Sequence, residues 1–296
     1  MTVLECAFCH KIGPLRNSHI IPSFVFRWMK ETSGTGHLRN TSNPNMRVQD
    51  GLKLPLLCAE CEGVFSVWER QFSIKVFHPY RSDQHQVLMF ADWHLKFCVS
   101  VSWRVLTYLS RTESAQKLRP NHSTNVAQAL ATWERFLKGE ISNPGRFEQH
   151  LLPVGGIEST NVPNLPPNIN RYLARSAHID LVTSEAGFCA SYAKMGPFLL
   201  FGFASPPTEK WKGTRVPVSG GAIRPTNYEL PRAVLEYVIA SATSSGTAMA
   251  SMSVAQQQKV DASVTENIEK FKNSELLKAI DADVRMFGTD AALRKS

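Results

Sequence analysis

Cys6-Ala-Phe-Cys9 and Cys58-Ala-Glu-Cys61, with Leu15-Arg16-Asn17-Ser18-His19-Ile20-Ile21-Pro22 between them, decide how this chain folds at its start. Each CxxC turn sets two thiols on one side of a knuckle, and two such turns supply the four soft ligands of a tetrahedral zinc ion. The pairs are 48 residues apart, and the second opens an apolar run at helical spacing. The positive end of a helix favours thiolates there. A structural Zn²⁺ held by Cys6, Cys9, Cys58 and Cys61 is therefore expected. The sequence Cys6-x-x-Cys9-His10 also matches a haem attachment pattern. That match leaves the second pair unexplained and requires an oxidising compartment.

The whole chain has 296 residues, 43% hydrophobic and 20% charged, which excludes collagen-like, low-complexity and wholly disordered classes. Its opening, MTVLECAFCHKIG, has no basic stretch followed by an apolar run, so no signal peptide is expected. The longest clean apolar stretch, Phe198 to Ala204, falls far short of the roughly 20 residues of a bilayer span. A cytoplasmic protein with no membrane partner follows as the expectation, and Cys98 and Cys189 then belong in the core as reduced thiols. The net charge of +8 is unevenly spread: residues 1–95 carry +2, residues 96–232 carry +7 and residues 233–296 carry −1. An anionic partner would be gripped mainly by the middle of the chain.

Residues 31–51, rich in Gly, Ser, Thr and Asn, read as a long loop, and Leu52 to Leu57 as a short strand entering the second pair. Val64, Phe65, Trp68, Phe72 and Val76 recur at helical intervals, predicting a helix from Glu62 to Phe77 that ends at His78-Pro79. Residues 90–111 predict a long buried helix, and Asn125 to Lys138 a second with Gly139 as its stop. Trp93, Trp103 and Trp133 anchor the core on these helices. A loop covers 153–170. From His178 three strands separated by Glu185-Ala186-Gly187 and Lys194-Met195-Gly196 form an antiparallel meander. The chain is helical again from Leu230, and its last helix runs from Ser274 to Phe287. The fold class is α+β, with a zinc module over residues 1–80 and a basic helical and antiparallel-sheet body over 81–296.

The string CAFC…NSHIIP…LLCAEC followed by a helix resembles the four-cysteine branch of the HNH, or ββα-metal, nucleases, of endonuclease VII type. The resemblance covers about the first 80 residues. It implies a zinc-stapled, treble-clef module of hairpin and helix that hydrolyses phosphodiester bonds of DNA with a catalytic Mg²⁺ or similar ion. Position by position, His19 falls on the general base, and a histidine titrates near pH 6.5 in general, which suits proton abstraction. Ser18 falls where the family carries Asp, Glu or His. Glu62 falls where it carries Asn or His, so one carboxylate is kept but on the opposite side of the site. The resemblance thus implies Glu62 and Ser18 as metal-side residues and His19 as base. By family analogy alone, such an enzyme fits bacterial defence or mobile-element biology.

Other residues carry less. Strand alternation is expected to turn Asn17 away from Ser18. Glu69 lies seven residues after Glu62, about 10 Å along a helix axis, and is expected to pair with a basic residue. His10 and His37 are hydrogen-bonders. The body shows no phosphate-binding loop or nucleophile triad, and is read as the part that senses a trigger, selects a target or forms a homodimer. Two rival functions stand beside the nuclease: a non-catalytic zinc-binding module that recognises nucleic acid, and a protein-interaction adaptor in which zinc is only structural.

Overall fold

A computed structural model describes residues 4–40, 43–112, 118–185, 187–223 and 228–293. It is mixed α+β with antiparallel sheets, as the sequence pattern predicts. The division expected near residue 80 is not the one the chain makes. One compact unit gathers residues 1–22, 52–153 and 178–231, and a second gathers 23–51, 154–177 and 232–296. The cysteine motifs and most of the basic middle segment thus fall within one unit, rather than in two separate domains.

The first unit begins with a hairpin of β1 (Leu4–Glu5) and β2 (Ile12–Gly13), whose turn holds Cys6 and Cys9. Strand β3 (Leu15–His19) then pairs antiparallel with β6 (Lys53–Cys58), which runs into helix α2 (Ala59–Phe72). Helix α2 does not end at His78-Pro79 as expected. It passes through a π-helical turn, Ser73–Phe77, into helix α3 (His78–Ser82), where Pro79 takes a first-turn position. A proline there needs no backbone donor, and the wider π turn opens the helical ladder just ahead of its ring.

Helix α4 (Trp93–Leu109) is buried along almost its whole length, and α5 (Pro120–Leu137) packs on it. Gly139, at φ +77, supplies the left-handed residue that ends α5. The meander appears as β9 (Ala177–Thr183), β10 (Cys189–Met195) and β11 (Phe198–Ser205); Ala186 of its first turn lies outside the described residues. A strand that periodicity did not reveal, β8 (Gln149–Pro153), completes the sheet in the order β8-β11-β10-β9. Strands β10 and β11 are buried at every position because α4 and α5 cover one face and Trp211 packs on Phe201 and Phe203 of the other, so they lack the alternation of a half-exposed strand. Cys98, Cys189, Trp103 and Trp133 lie in this core, as expected. A small pair of β7 (Leu88–Phe90) and β12 (Gly221–Ile223) lies beside it.

In the second unit the loop expected over 31–51 is largely a hairpin. Strands β4 (Leu38–Asn40) and β5 (Asn43–Val48) pair antiparallel, with Leu38 opposite Val48; Thr41 and Ser42 lie outside the described residues. The polar composition hid these strands, whose exposed positions carry Arg and Asn. Helices α1 (Ser23–Glu31), α6 (Ile169–Arg175), α7 (Arg232–Ala250), α8 (Val254–Glu266), α9 (Ile268–Lys272), α10 (Glu275–Phe287) and α11 (Thr289–Ala292) make up the rest. Ser274 caps α10 by accepting from Leu277 N–H, as its position predicts, and α11 follows beyond the expected stop at Gly288. Buried Asp283 of α10 accepts from the Asn170 and Arg171 backbone N–H groups and from Arg171 Nε, which fixes the start of α6. Among the described residues, no helix is long and apolar enough to cross a membrane.

Candidate metal centre and the adjoining cleft

The thiol sulfurs of Cys6, Cys9, Cys58 and Cys61 all lie within 4.8 Å of one another. Cys9 Sγ and Cys58 Sγ are 3.7 Å apart. A tetrahedron with Zn–S bonds near 2.3 Å has edges of about 3.8 Å, so this set can hold a structural metal such as zinc. The first knuckle closes because His10 takes a left-handed conformation at φ +61 while its N–H donates to Cys6 carbonyl oxygen at 2.9 Å. His10 is held there by its ring, which bonds Glu5 and Glu134 at 2.9 Å each. The second knuckle is built by the start of α2, with Cys58 as its N-cap residue.

Burial raises the Cys6 thiol, but backbone N–H groups of Cys9, Cys58 and Phe8 outweigh it and bring Cys6 down to about 7. Burial pushes Cys61 upward, and Cys58 and Cys9 add to that rise. Cys9 is raised as well, again first by burial. Burial and the crowding of sulfurs thus oppose ionisation of the set as a whole. A bound metal would remove that conflict by taking up the negative charge.

The knuckle is locked to the rest of the unit through Phe8. Its ring meets Phe65 of α2 edge-on at 5.1 Å and Trp103 of α4 at 5.5 Å. The Ala7 N–H also donates to Leu56 carbonyl oxygen at 2.9 Å. Leu56 is the extra residue of β6: Arg16 faces Leu57, whereas the next residue, Asn17, faces Pro55. That bulge shifts the strand register beside the site.

The bulge changes which side chains meet. Ser18 is fully buried, and its hydroxyl donates to Glu62 Oε2 at 2.6 Å. The structure therefore brings these two sequence-selected residues together across β3 and α2. Asn17, exposed where Ser18 is buried, faces away from it as expected, and it lines the same open cleft as Glu62. The cleft has a volume of about 380 Å³ and is bordered by Arg16, Asn17, Ala59, Glu62, Gly63 and Ser66. The Arg16 side chain is exposed and has no hydrogen-bond or ion-pair partner among the described residues. His19 follows Ser18 as the last residue of β3, half-buried and opposite Lys53, and is not part of the cleft lining.

No family model, curated protein or solved structure matches the chain. The site must therefore be argued from its own chemistry.

Two features escaped the sequence pattern. Arg16 and Asn17 both border the cleft because of a bulge on the partner strand, which no periodicity in β3 announces. Arg104 had a visible signal: an arginine flanked on both sides by the apolar run of α4. It is 1% exposed and pairs with Glu69 at 2.6 Å, so the basic partner expected for Glu69 exists. His37 is also bonded, to Arg47 at 3.3 Å.

Proposed function

We propose that the protein is a metal-dependent endonuclease of HNH type, hydrolysing phosphodiester bonds of DNA from a zinc-stapled, treble-clef module. The carrying observation is the Ser18–Glu62 hydrogen bond of 2.6 Å, formed next to the four-thiol cluster and beside an open cleft. A hydrated Mg²⁺ asks a protein for only one or two carboxylates and keeps several waters. The donor set here suits that demand, with Glu62 half-buried at the cleft and the Asn17 amide beside it. When bound, the ion supplies positive charge to the phosphate and the leaving oxygen.

The remaining roles belong to the chain. Ser18 is too deeply buried to face the cleft, so it aims Glu62 rather than holding the metal itself. His19 takes a proton from the attacking water at the end of β3. Arg16, exposed and without a partner, meets a non-bridging phosphate oxygen, where a guanidinium fits two oxygens at once. The basic middle segment grips flanking phosphates through contacts that weaken with salt.

Supercoiled plasmid incubated with Mg²⁺ or Mn²⁺ tests this. Nicking or linearisation by the wild type, lost in Glu62→Gln and His19→Ala, is the expected result. Cleavage unchanged in His19→Ala removes that residue from the mechanism. Plasmid that stays intact with every metal while salt-sensitive binding persists leaves a non-catalytic nucleic-acid recognition module instead.

A further inference from the structure

Helix α4 buries one guanidinium among aromatic and aliphatic side chains, and two of its contacts reach the elements that carry the site. Arg104 Nε donates to Ser100 carbonyl oxygen at 3.3 Å, within its own helix. Nη1 donates to the backbone carbonyl oxygen of His19 at 2.8 Å. Nη2 lies 2.6 Å from Glu69 Oε1 on α2, and the guanidinium carbon is 5.7 Å from the centre of the Phe65 ring. One side chain thus ties the end of β3 to the helix that carries Glu62.

We infer that Arg104 is a positioning residue for His19, an assignment that rests on the proposed nuclease reading for its catalytic meaning. Taking a charge out of water costs several kcal/mol, and an apolar side chain of similar volume fills such a space at equal or lower cost. Packing alone therefore gives no reason for an arginine here. What an apolar residue cannot do is hold the His19 peptide. Strand β3 ends at His19, just before the chain turns through Ile20 and Ile21 to Pro22. The Nη1 donor reaching that peptide from α4, with Nη2 braced by Glu69, fixes the base relative to Glu62. Lysine offers a point charge and one flexible donor group, so it reproduces the tie only in part.

The experiment compares wild type with Arg104→Met, Arg104→Lys and Glu69→Gln, each checked for bound zinc and thermal melting. On plasmid or a labelled oligonucleotide duplex with Mn²⁺, Arg104→Met is expected to lower kcat by about 100-fold, the scale of a 1 Å misplacement, with KM within about twofold. Arg104→Lys should recover part of kcat, and Glu69→Gln should fall between. A zinc-loaded Arg104→Met with wild-type kcat overturns the inference. If that variant does not fold, wild-type kcat in Arg104→Lys overturns it equally.

A second readout does not depend on activity. The His19 carbonyl and the Ile20 N–H share one peptide, so loss of the Arg104 hydrogen bond should move the Ile20 amide nitrogen resonance. An unmoved Ile20 resonance in Arg104→Lys or Arg104→Met overturns the positioning role. A wild type that cleaves nothing while Ile20 still moves overturns the nuclease reading and leaves the tie itself in place.

Discussion

Replacing Ser18 by alanine isolates the contact on which the candidate site depends. The Ser18 hydroxyl is fully buried and gives its proton to Glu62 at 2.6 Å. A hydrogen bond to a charged group contributes about 1.5–3 kcal/mol. Glu62 is only half-buried, so water can replace part of the lost donor, and the lower end of that range applies. Ser18→Ala is therefore expected to destabilise the fold by about 1.5 kcal/mol, read as a shift in the urea midpoint at unchanged m value. Glu62→Gln keeps an acceptor oxygen but makes the bond neutral, for which about 1 kcal/mol is usual. The two changes act on one bond, so the double variant should cost less than the separate losses combined, with a coupling of at least about 0.5 kcal/mol. Metal-dependent cleavage should fall in Ser18→Ala through a loosened Glu62, and fall further in Glu62→Gln, which lacks the charge. A Ser18→Ala midpoint indistinguishable from wild type, together with strict additivity, refutes the pairing and the role drawn from it.

The purified protein should contain one zinc per chain, and chelation should abolish the near-ultraviolet circular dichroism of the Phe8, Phe65 and Trp103 cluster, whose rings are 5.1–5.9 Å apart. Metal analysis of Cys61→Ser gives the complementary check: full zinc occupancy there would exclude Cys61 as a ligand. Stability should also fall in mild acid. Burial lowers both His94 and His150 from 6.5 to about 3, with the charge of Arg215 adding to the effect on His150. Above pH 6.5 both rings are neutral in either state; below it the unfolded chain takes protons that the folded chain refuses, until about pH 3. Between pH 7.5 and 5.5 this linkage removes about 1.4 kcal/mol per histidine. Urea titrations at the two pH values measure it, and a His94→Leu variant should halve the loss.

The four-cysteine cluster was legible because its information is local: two knuckles, each complete within four residues, need only be brought together. Long helices were legible for the same reason, since α4 and α5 carry their burial in their own spacing. What remained hidden depends on partners far away in sequence. Strand β8 has no alternation to betray it because both its faces are covered, and β4 and β5 carry too few apolar residues to stand out. The two compact units are each assembled from three separate stretches of chain, and no composition shift marks those crossings.

The site itself shows where periodicity stops being a guide. Strict alternation in β3 would put Arg16 and Asn17 on opposite faces, yet both are exposed and line the cleft with Glu62, while Ser18 stays buried. One extra residue in β6, Leu56, undoes that rule from the partner strand, and its carbonyl is taken up by Ala7 of the cysteine knuckle. The first cysteine turn therefore does more than meet the second across the four-thiol cluster. It stabilises the bulge that lets Arg16 and Asn17 share a cleft with Glu62, while Phe8 of the same turn packs against the helix that delivers Arg104 to His19. Loss of a bound metal should then disturb the cleft before it unfolds the buried sheet, because the knuckle touches the former directly and the latter only through α4 and α5.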